Sequence, residues 1–205
     1  ADGAVVWVQN ALAAVKDETG QDTSFVAQFL DVTQTRSAQE SLAVLAHKDS
    51  LTNLWNRRAV LEQMQEGLAR SPRRGTSRAV LYCDLDDFKP VNDRYGHAMG
   101  DEVLMEVARR IESCAPDDAV VGRIGGDEFL VFLQSCTGLE AALAVAQCVL
   151  DSVKRPIHID GTELSITLSA GVGLAAPGDD ADAVIAKADE ALYSAKGGGR
   201  DRVVA

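Results

Sequence analysis

Two glycines, Gly125 and Gly126, stand between two apolar arms, Val120 to Ile124 and Phe129 to Leu133. Glycine passes freely through left-handed backbone, so a Gly-Gly pair where two β-patterned runs meet marks a tight reversal. The arms must then pair antiparallel, and any sheet this chain builds contains that hairpin. The remaining apolar residues interleave helices and strands around it. Val60, Leu61, Met64 and Leu68 share one helical face, Val103, Leu104, Val107 and Ile111 a second, and Leu139, Leu143, Ala146 and Leu150 a third. Ala79 to Cys83 reads as a short, wholly apolar strand ending at Asp84. A strand over Leu164 to Ala170, a helix over Ala183 to Ala195 and a last strand at Val203-Val204 complete the order. Helices covering a sheet that contains an antiparallel hairpin make an α+β sandwich of ferredoxin-like type, with a central, mostly antiparallel five-stranded sheet, and exclude a Rossmann sheet. With 46% hydrophobic residues in 205, the core is adequately supplied.

The first residues read differently. Val5 to Val8, Leu12 to Val15 and Ser24 to Leu30 look like three short strands broken at Asn10 and at the Asp17-Glu18-Thr19-Gly20 turn, a small antiparallel β-meander. Such a meander has one apolar face and needs a cover. From Asp31 to His47 the pattern turns helical, with Asp31 or Thr33 able to cap and Leu42, Leu45 and Ala46 on one side. Fewer than three heptads are present, so a parallel coiled coil is open rather than required. The chain begins with Ala inside a strand-like pattern, which suggests a piece of something longer.

Charge restricts the partners. Against 31 Asp and Glu there are 20 Lys and Arg, a formal net charge of −11 that repels a long polyanion and argues against nucleic acid. A mononucleotide is another matter, because divalent ions neutralise its phosphates within an acidic protein. Cys83, Cys114, Cys136 and Cys148 show no CxxC spacing, so neither zinc nor a disulfide framework is indicated, and four core thiols in a reducing cytoplasm are expected. No apolar run approaches the roughly 20 residues that span a bilayer, so no membrane contact is expected of this stretch and the expected location is cytoplasmic.

Two acidic features fall where nucleotide chemistry would use them. Asp84 emerges from the end of an apolar strand, and Asp127 with Glu128 follows the Gly-Gly turn, where missing side chains let a ligand approach the backbone. Magnesium prefers hard carboxylate oxygens, so if the two elements are neighbours in the sheet, Asp84 and Asp127 face one metal cluster suited to nucleotidyl transfer. Taken singly, each is as well explained as a turn former or a cap.

Their surroundings carry more. Asp84-Leu85-Asp86-Asp87-Phe88-Lys89-Pro90-Val91-Asn92-Asp93, Tyr95-Gly96-His97, Gly100-Asp101 and Arg123-Ile124-Gly125-Gly126-Asp127-Glu128-Phe129 follow in the order and spacing of GGDEF domains. Asp49-Ser50-Leu51-Thr52-Asn53-Leu54-Trp55-Asn56-Arg57 resembles that family's opening motif, and Ala191-Leu192-Tyr193 leads to Lys196 and Arg200. Residues 49–205 thus resemble a magnesium-dependent diguanylate cyclase, which condenses two GTP into cyclic di-GMP on a palm-type nucleotidyl cyclase fold. Residues 1–32 resemble the C-terminal end of a PAS sensor domain and 33–48 its signalling helix. A hairpin and linker without special function is the alternative reading for both.

The resemblance implies roles residue by residue. Asp84, Asp127 and the Leu85 carbonyl would hold Mg2+ or Mn2+, two ions per half-site. Asn92 and Asp101 would read guanine, Asp101 by accepting from base N–H groups that adenine cannot offer. Backbone N–H groups near Asp87 and Phe88 would cradle phosphate, Gly125 and Gly126 would admit the nucleotide, and Lys196 and Arg200 would hold the terminal phosphates. Those two cations equally suit the end of a helix before Gly197-Gly198-Gly199. Lys89 would add charge at the reacting phosphate, and Glu128 would assist deprotonation of the 3′-hydroxyl. His97 is expected to be structural, His47 and His158 to lie at the surface, and Trp55 to pack the linker onto the domain.

Two positions depart from the family pattern. Asn53 stands where glycine is usual, and Asn tolerates left-handed backbone, so the turn should survive. Pro116-Asp117-Asp118-Ala119 occupies the place of the inhibitory Arg-x-x-Asp, so no inhibitory site is expected. Joining two GTP molecules needs two half-sites, so a transient two-fold homodimer is implied by the stoichiometry. The competing readings are a GTP-binding module without turnover that regulates a partner domain, and a protein that only senses and dimerises.

Overall fold

The computed structural model describes residues 5–16, 22–35, 47–70 and 75–205. They fall into two compact units, Ala1–Ala46 and His47–Ala205.

In the first unit, β1 (Val8–Lys16) pairs antiparallel with β2 (Asp22–Asp31), Asn10 facing Phe29, Leu12 facing Ala27 and Ala14 facing Phe25. Among the described residues, two strands stand in place of the expected three-stranded meander. Asn10 does not break the run, because its backbone is taken up in the ladder with Phe29 and its side chain stands at the exposed surface. Leu12, Phe25 and Phe29 stand exposed on one face. Asp31 accepts the Thr33 N–H at 2.9 Å, an N-cap bond for the helical residues 33–35. The rest of the expected linker helix, residues 36–46, lies outside the described residues.

The second unit opens with Trp55–Asn56 (β3), followed by α1 (Arg57–Ala69), which begins where the Asn56 side chain accepts the Ala59 N–H at 3.0 Å. Next come β4 (Ser77–Asp86), α2 (Phe88–Tyr95), α3 (His97–Cys114), β5 (Val120–Arg123) and β6 (Glu128–Cys136). Then follow α4 (Leu139–Val153), a small hairpin of β7 (Ile157–Ile159) and β8 (Thr162–Leu164), β9 (Thr167–Leu174), α5 (Ala181–Gly197) and β10 (Val203–Val204). The central sheet runs β10-β9-β4-β6-β5-β3. Its four inner strands are antiparallel, and the two-residue edge strands β10 and β3 are parallel to their neighbours. The expected sheet thus has six strands rather than five, Trp55–Asn56 supplying the sixth, and the expected strand over Leu164 to Ala170 divides into β8 and the start of β9.

Alternation along β4 sorts the layers. Leu81, Cys83 and Leu85 join Phe129, Val131 and the apolar faces of α3 and α4 on one side. Val80 joins Leu130, Phe132, Val60 and Met64 of α1 and Val184 and Ala188 of α5 on the other, with Tyr82 packed against them. Phe129 and Phe132, both fully buried, pack on opposite sides of β6, each worth about 1.5–3 kcal/mol in burial alone. Gly171 and Gly173 of β9 let α5 lie close to the sheet: a Cβ at Gly171 would stand 2.0 Å from the Ala188 carbonyl oxygen. Arg110, buried on α3, donates to the Ser152, Val153, Arg155 and Pro156 carbonyls and so closes the C-terminus of α4.

The cysteine expectation holds for Cys83 and Cys136, which are free and buried. It fails for Cys114 and Cys148, which are bonded between the end of α3 and α4, with Cα atoms 5.9 Å apart. No described helix is long and apolar enough to cross a membrane.

Candidate active site

The strand register brings the acidic residues together. Asp84 of β4 faces Glu128 of β6 on one flank and Ser169 of β9 on the other. The Leu85 N–H donates to the Asp127 carbonyl oxygen at 3.2 Å, which seats the turn residue beside the end of β4. Because Tyr82, Asp84 and Asp86 alternate with Cys83 and Leu85, the two carboxylates emerge on the α5 side of the sheet. The Lys196 ammonium, in the last turn of α5, lies 2.7 Å from Asp84 Oδ2. The glycines of β9 permit that meeting, since they set how near α5 approaches.

Burial pushes the Asp84 carboxyl above its ordinary range, and the nearby Asp127 and Glu128 charges push it the same way; Lys196 works against both. Burial is the largest of these influences, and Lys196 counts for more than either neighbouring carboxylate. Tyr82 O–H donates to Glu128 Oε1 at 3.4 Å, and burial together with Glu128 pushes the phenol up to about 12. Glu128 is thus held by a neutral hydroxyl.

Two hollows adjoin this cluster. One, of about 390 Å³, is bounded by Phe88, Lys89, Asn92, Asp101 and Asp127, with His97 at its exposed rim. His97, expected to be structural, thus borders the candidate site. The other, of about 410 Å³, is bounded by Asp84, Glu128, Asp189, Tyr193 and Lys196. Asp87 enters α2 in left-handed conformation, φ 52°, with no side-chain cap bond, so the first N–H groups of the helix keep their donor capacity. Arg200, also left-handed, holds its Nε 3.9 Å from Asp87 Oδ1 and lines neither hollow. Gly125 sits under Glu128: a Cβ there would lie 2.1 Å from Glu128 Oε2.

Sequence reasoning missed a brace between the opening motif and the hairpin. Arg123 donates to the Gly126 carbonyl at 2.7 Å and to Asp49 Oδ1 at 3.1 Å, while Asp49 also accepts both Thr52 donors. Burial works to raise the Asp49 carboxyl, but these hydrogen bonds outweigh it and hold it below the usual carboxylate range. Asn53 takes φ 57°, as its substitution for glycine requires. Trp55 packs beneath Lys48, whose ammonium lies 4.0 Å from the ring centroid. The sequence offered one signal for the brace, an Arg two residues before the Gly-Gly turn. His47 and His158 lie near Glu62 and Glu163, at 3.9 and 3.8 Å.

The family model described as "Diguanylate cyclase, GGDEF domain" matches residues 46–202. The chain belongs to the GGDEF family. Diguanylate cyclase DgcM of Escherichia coli K12 is 36% identical over 205 residues, 100% of this chain and 49% of its own length. Cyclic di-GMP phosphodiesterase PdeR of the same organism is 42% identical over 171 residues, 83% of this chain and 25% of its own. The chain thus spans half or less of these two relatives. The coiled coil and GGDEF domain of DgcB from Caulobacter crescentus, solved in complex with c-di-GMP, superposes with a TM-score of 0.78 at 31% identity, covering 84% of this chain and 92% of that one. The acidic strand pair, the Gly-Gly turn and the flanking hollows lie within the matched GGDEF stretch.

Proposed function

We propose that residues 49–205 form a diguanylate cyclase that converts two GTP into cyclic di-GMP and two pyrophosphates. Each 3′-hydroxyl attacks the α-phosphorus of the GTP on a second copy; the bond to pyrophosphate breaks and the hydroxyl proton is released. The observation that carries this reading is Asp84 lying across from Glu128 and beside Asp127, which itself borders the hollow lined by Asn92 and Asp101.

The donor set fits magnesium, since carboxylate and carbonyl oxygens are hard ligands and Asp84 stands across from Glu128 and beside the Asp127 turn. Asp84, Asp127 and the Leu85 carbonyl would hold the ions, which would draw the phosphates in and neutralise charge developing on them. Asn92 and Asp101 would read the guanine edge above Phe88. N–H groups at Asp87 and Phe88, with Lys89 and Arg200, would hold the phosphates, and Lys196 would turn from Asp84 toward them. Glu128, held by Tyr82, would take the hydroxyl proton.

A two-fold homodimer is part of the proposal, because one half-site cannot close the ring. Residues 116–119, Pro-Asp-Asp-Ala, support the absence of an inhibitory Arg-x-x-Asp site. We read residues 1–32 as the end of a PAS-like sensor and 33–48 as its signalling helix; the exposed apolar face of the hairpin, which calls for a cover, supports that reading. The likeness to a phosphodiesterase favours a second reading, in which the domain binds GTP without turnover and regulates a partner. Incubation with GTP and magnesium distinguishes the two: cyclic di-GMP from the wild type and none from Asp127→Ala supports the cyclase. GTP binding without product supports the module.

A further inference from the structure

Asp86 takes no part in the chemistry proposed above, yet it is buried, 6% exposed, and collects three donors from distant segments. Ser169 Oγ donates to its Oδ1 at 2.7 Å, Thr167 Oγ1 to its Oδ2 at 2.8 Å, and the backbone N–H of Asp201 to the same Oδ2 at 3.1 Å. The last bond spans 115 residues and ties the end of β4 to the turn after α5. The turn has its own bonds as far as Arg200, whose N–H donates to the Ala195 carbonyl at 3.1 Å after Gly199 N–H has met the Lys196 carbonyl at 3.3 Å. Lys154 pairs with the Asp201 carboxylate; the Asp201 N–H is the one that goes to Asp86. Arg200 and Asp201 follow one another in left-handed backbone, φ 61° and 48°, directly after Gly199 at 112°. Consecutive L-residues there are strained and persist only where surroundings over-determine them. A buried carboxylate accepting the N–H that follows Arg200 is such a determinant, and charge-assisted bonds are the stronger kind.

We infer that Asp86 is a positioning residue for GTP: it pins the turn so that the Arg200 guanidinium stays beside Asp87 and the first N–H groups of α2, where the terminal phosphates would bind. The inference rests on the cyclase-site reading. It separates the adjacent acidic residues by role: Asp84 faces Lys196 and would hold the metal, Asp86 faces inward to β9 and the turn, and Asp87 opens α2. Without Asp86 the turn relaxes and Arg200 leaves the phosphate side, while the residues that would hold metal stay in place at the end of β4 and in the turn before β6. Affinity for GTP should therefore suffer more than the chemical step.

The test is a double-mutant cycle between Asp86→Ala and Arg200→Ala, read by calorimetric titration with a non-hydrolysable GTP analogue in magnesium and by KM and kcat for GTP. Asp86→Ala should weaken analogue binding and raise KM about tenfold, with kcat changed by less than about threefold. In the Arg200→Ala background the same substitution should cost little. Asp86→Asn should restore most of the affinity, because its oxygen can accept from Asp201 N–H and Thr167 while its amide donates to Ser169 Oγ. Equal losses in both backgrounds, or a lowered Tm with unchanged affinity, would overturn the inference. A wild-type protein that fails to bind the analogue would remove the cyclase reading and the inference with it; normal binding by Asp86→Ala would remove the inference alone. Should Asp86→Ala not fold, hydrogen exchange at the Asp201 amide of the wild type decides: protection like that of β9 supports the pin, and rapid exchange refutes it.

Discussion

Gly100→Ala is a small change with a directed consequence. Gly100 is buried in the first turn of α3, in ordinary helical backbone, so alanine there suffers no conformational penalty and gains up to about 1 kcal/mol of helix propensity. Its Cβ would however stand 1.9 Å from Asn92 Oδ1 and 3.3 Å from Phe88 Cζ. To restore a contact of 3.4 Å the Asn92 amide must retreat by about 3.4 − 1.9 = 1.5 Å, which takes it out of hydrogen-bond reach of any base it now faces. Losing that amide and leaving a polar edge of guanine unpaired costs about 1.5–3 kcal/mol, or roughly 10- to 100-fold in affinity. The assay is titration of GTP and ATP analogues into both proteins in magnesium, with urea unfolding as the control. We expect GTP affinity to fall toward that of ATP, while stability changes by less than about 1 kcal/mol. Unchanged GTP affinity, or equal losses for both nucleotides, would refute the placement of guanine against Asn92.

Two further outcomes follow from the same geometry. Arg110→Ala leaves four carbonyls at the end of α4 without their guanidinium, and should lower unfolding stability by about 3 kcal/mol in urea titration; a loss under about 1 kcal/mol would contradict its capping role. Burial and the charges of Asp127 and Glu128 raise the folded Asp84 carboxyl above 3.8, so its contribution to stability is present below 3.8 and is lost as pH rises through the raised value. In metal-free protein at neutral pH, Asp84→Asn should therefore unfold at higher urea than the wild type. The gap should close on acidification toward 3.8, and a variant less stable at neutral pH would contradict the sign.

The sheet was legible because its inner strands are apolar enough to show their period, and because Gly125-Gly126 fixes one antiparallel pair. Trp55–Asn56 escaped notice since two residues carry no period, and parallel pairing with β5 depends on where Gly122 sits, not on local sequence. Asn10 misled because turn propensity yields to a ladder once both flanking runs are paired. The Cys114–Cys148 bond depends on the rotation of α3 against α4, which spacing does not encode. At the site, Asp84, Asp127, Glu128 and Lys196 converge as their motifs imply, while the sequence alone does not distinguish Asp86 from its acidic neighbours. Its partners, Thr167, Ser169 and the Asp201 N–H, are supplied by tertiary structure. Arg110 likewise reads as a surface cation until α4 ends against it.

The proposed function requires that Asp84, on β4, and Asp127, in the turn before β6, grip the same divalent ions. Manganese binding followed by electron paramagnetic resonance, with a non-hydrolysable GTP analogue present, tests it most directly. Tight uptake by the wild type, lost in both Asp84→Asn and Asp127→Asn, is the predicted result. Uptake that survives in either variant at wild-type affinity would contradict it.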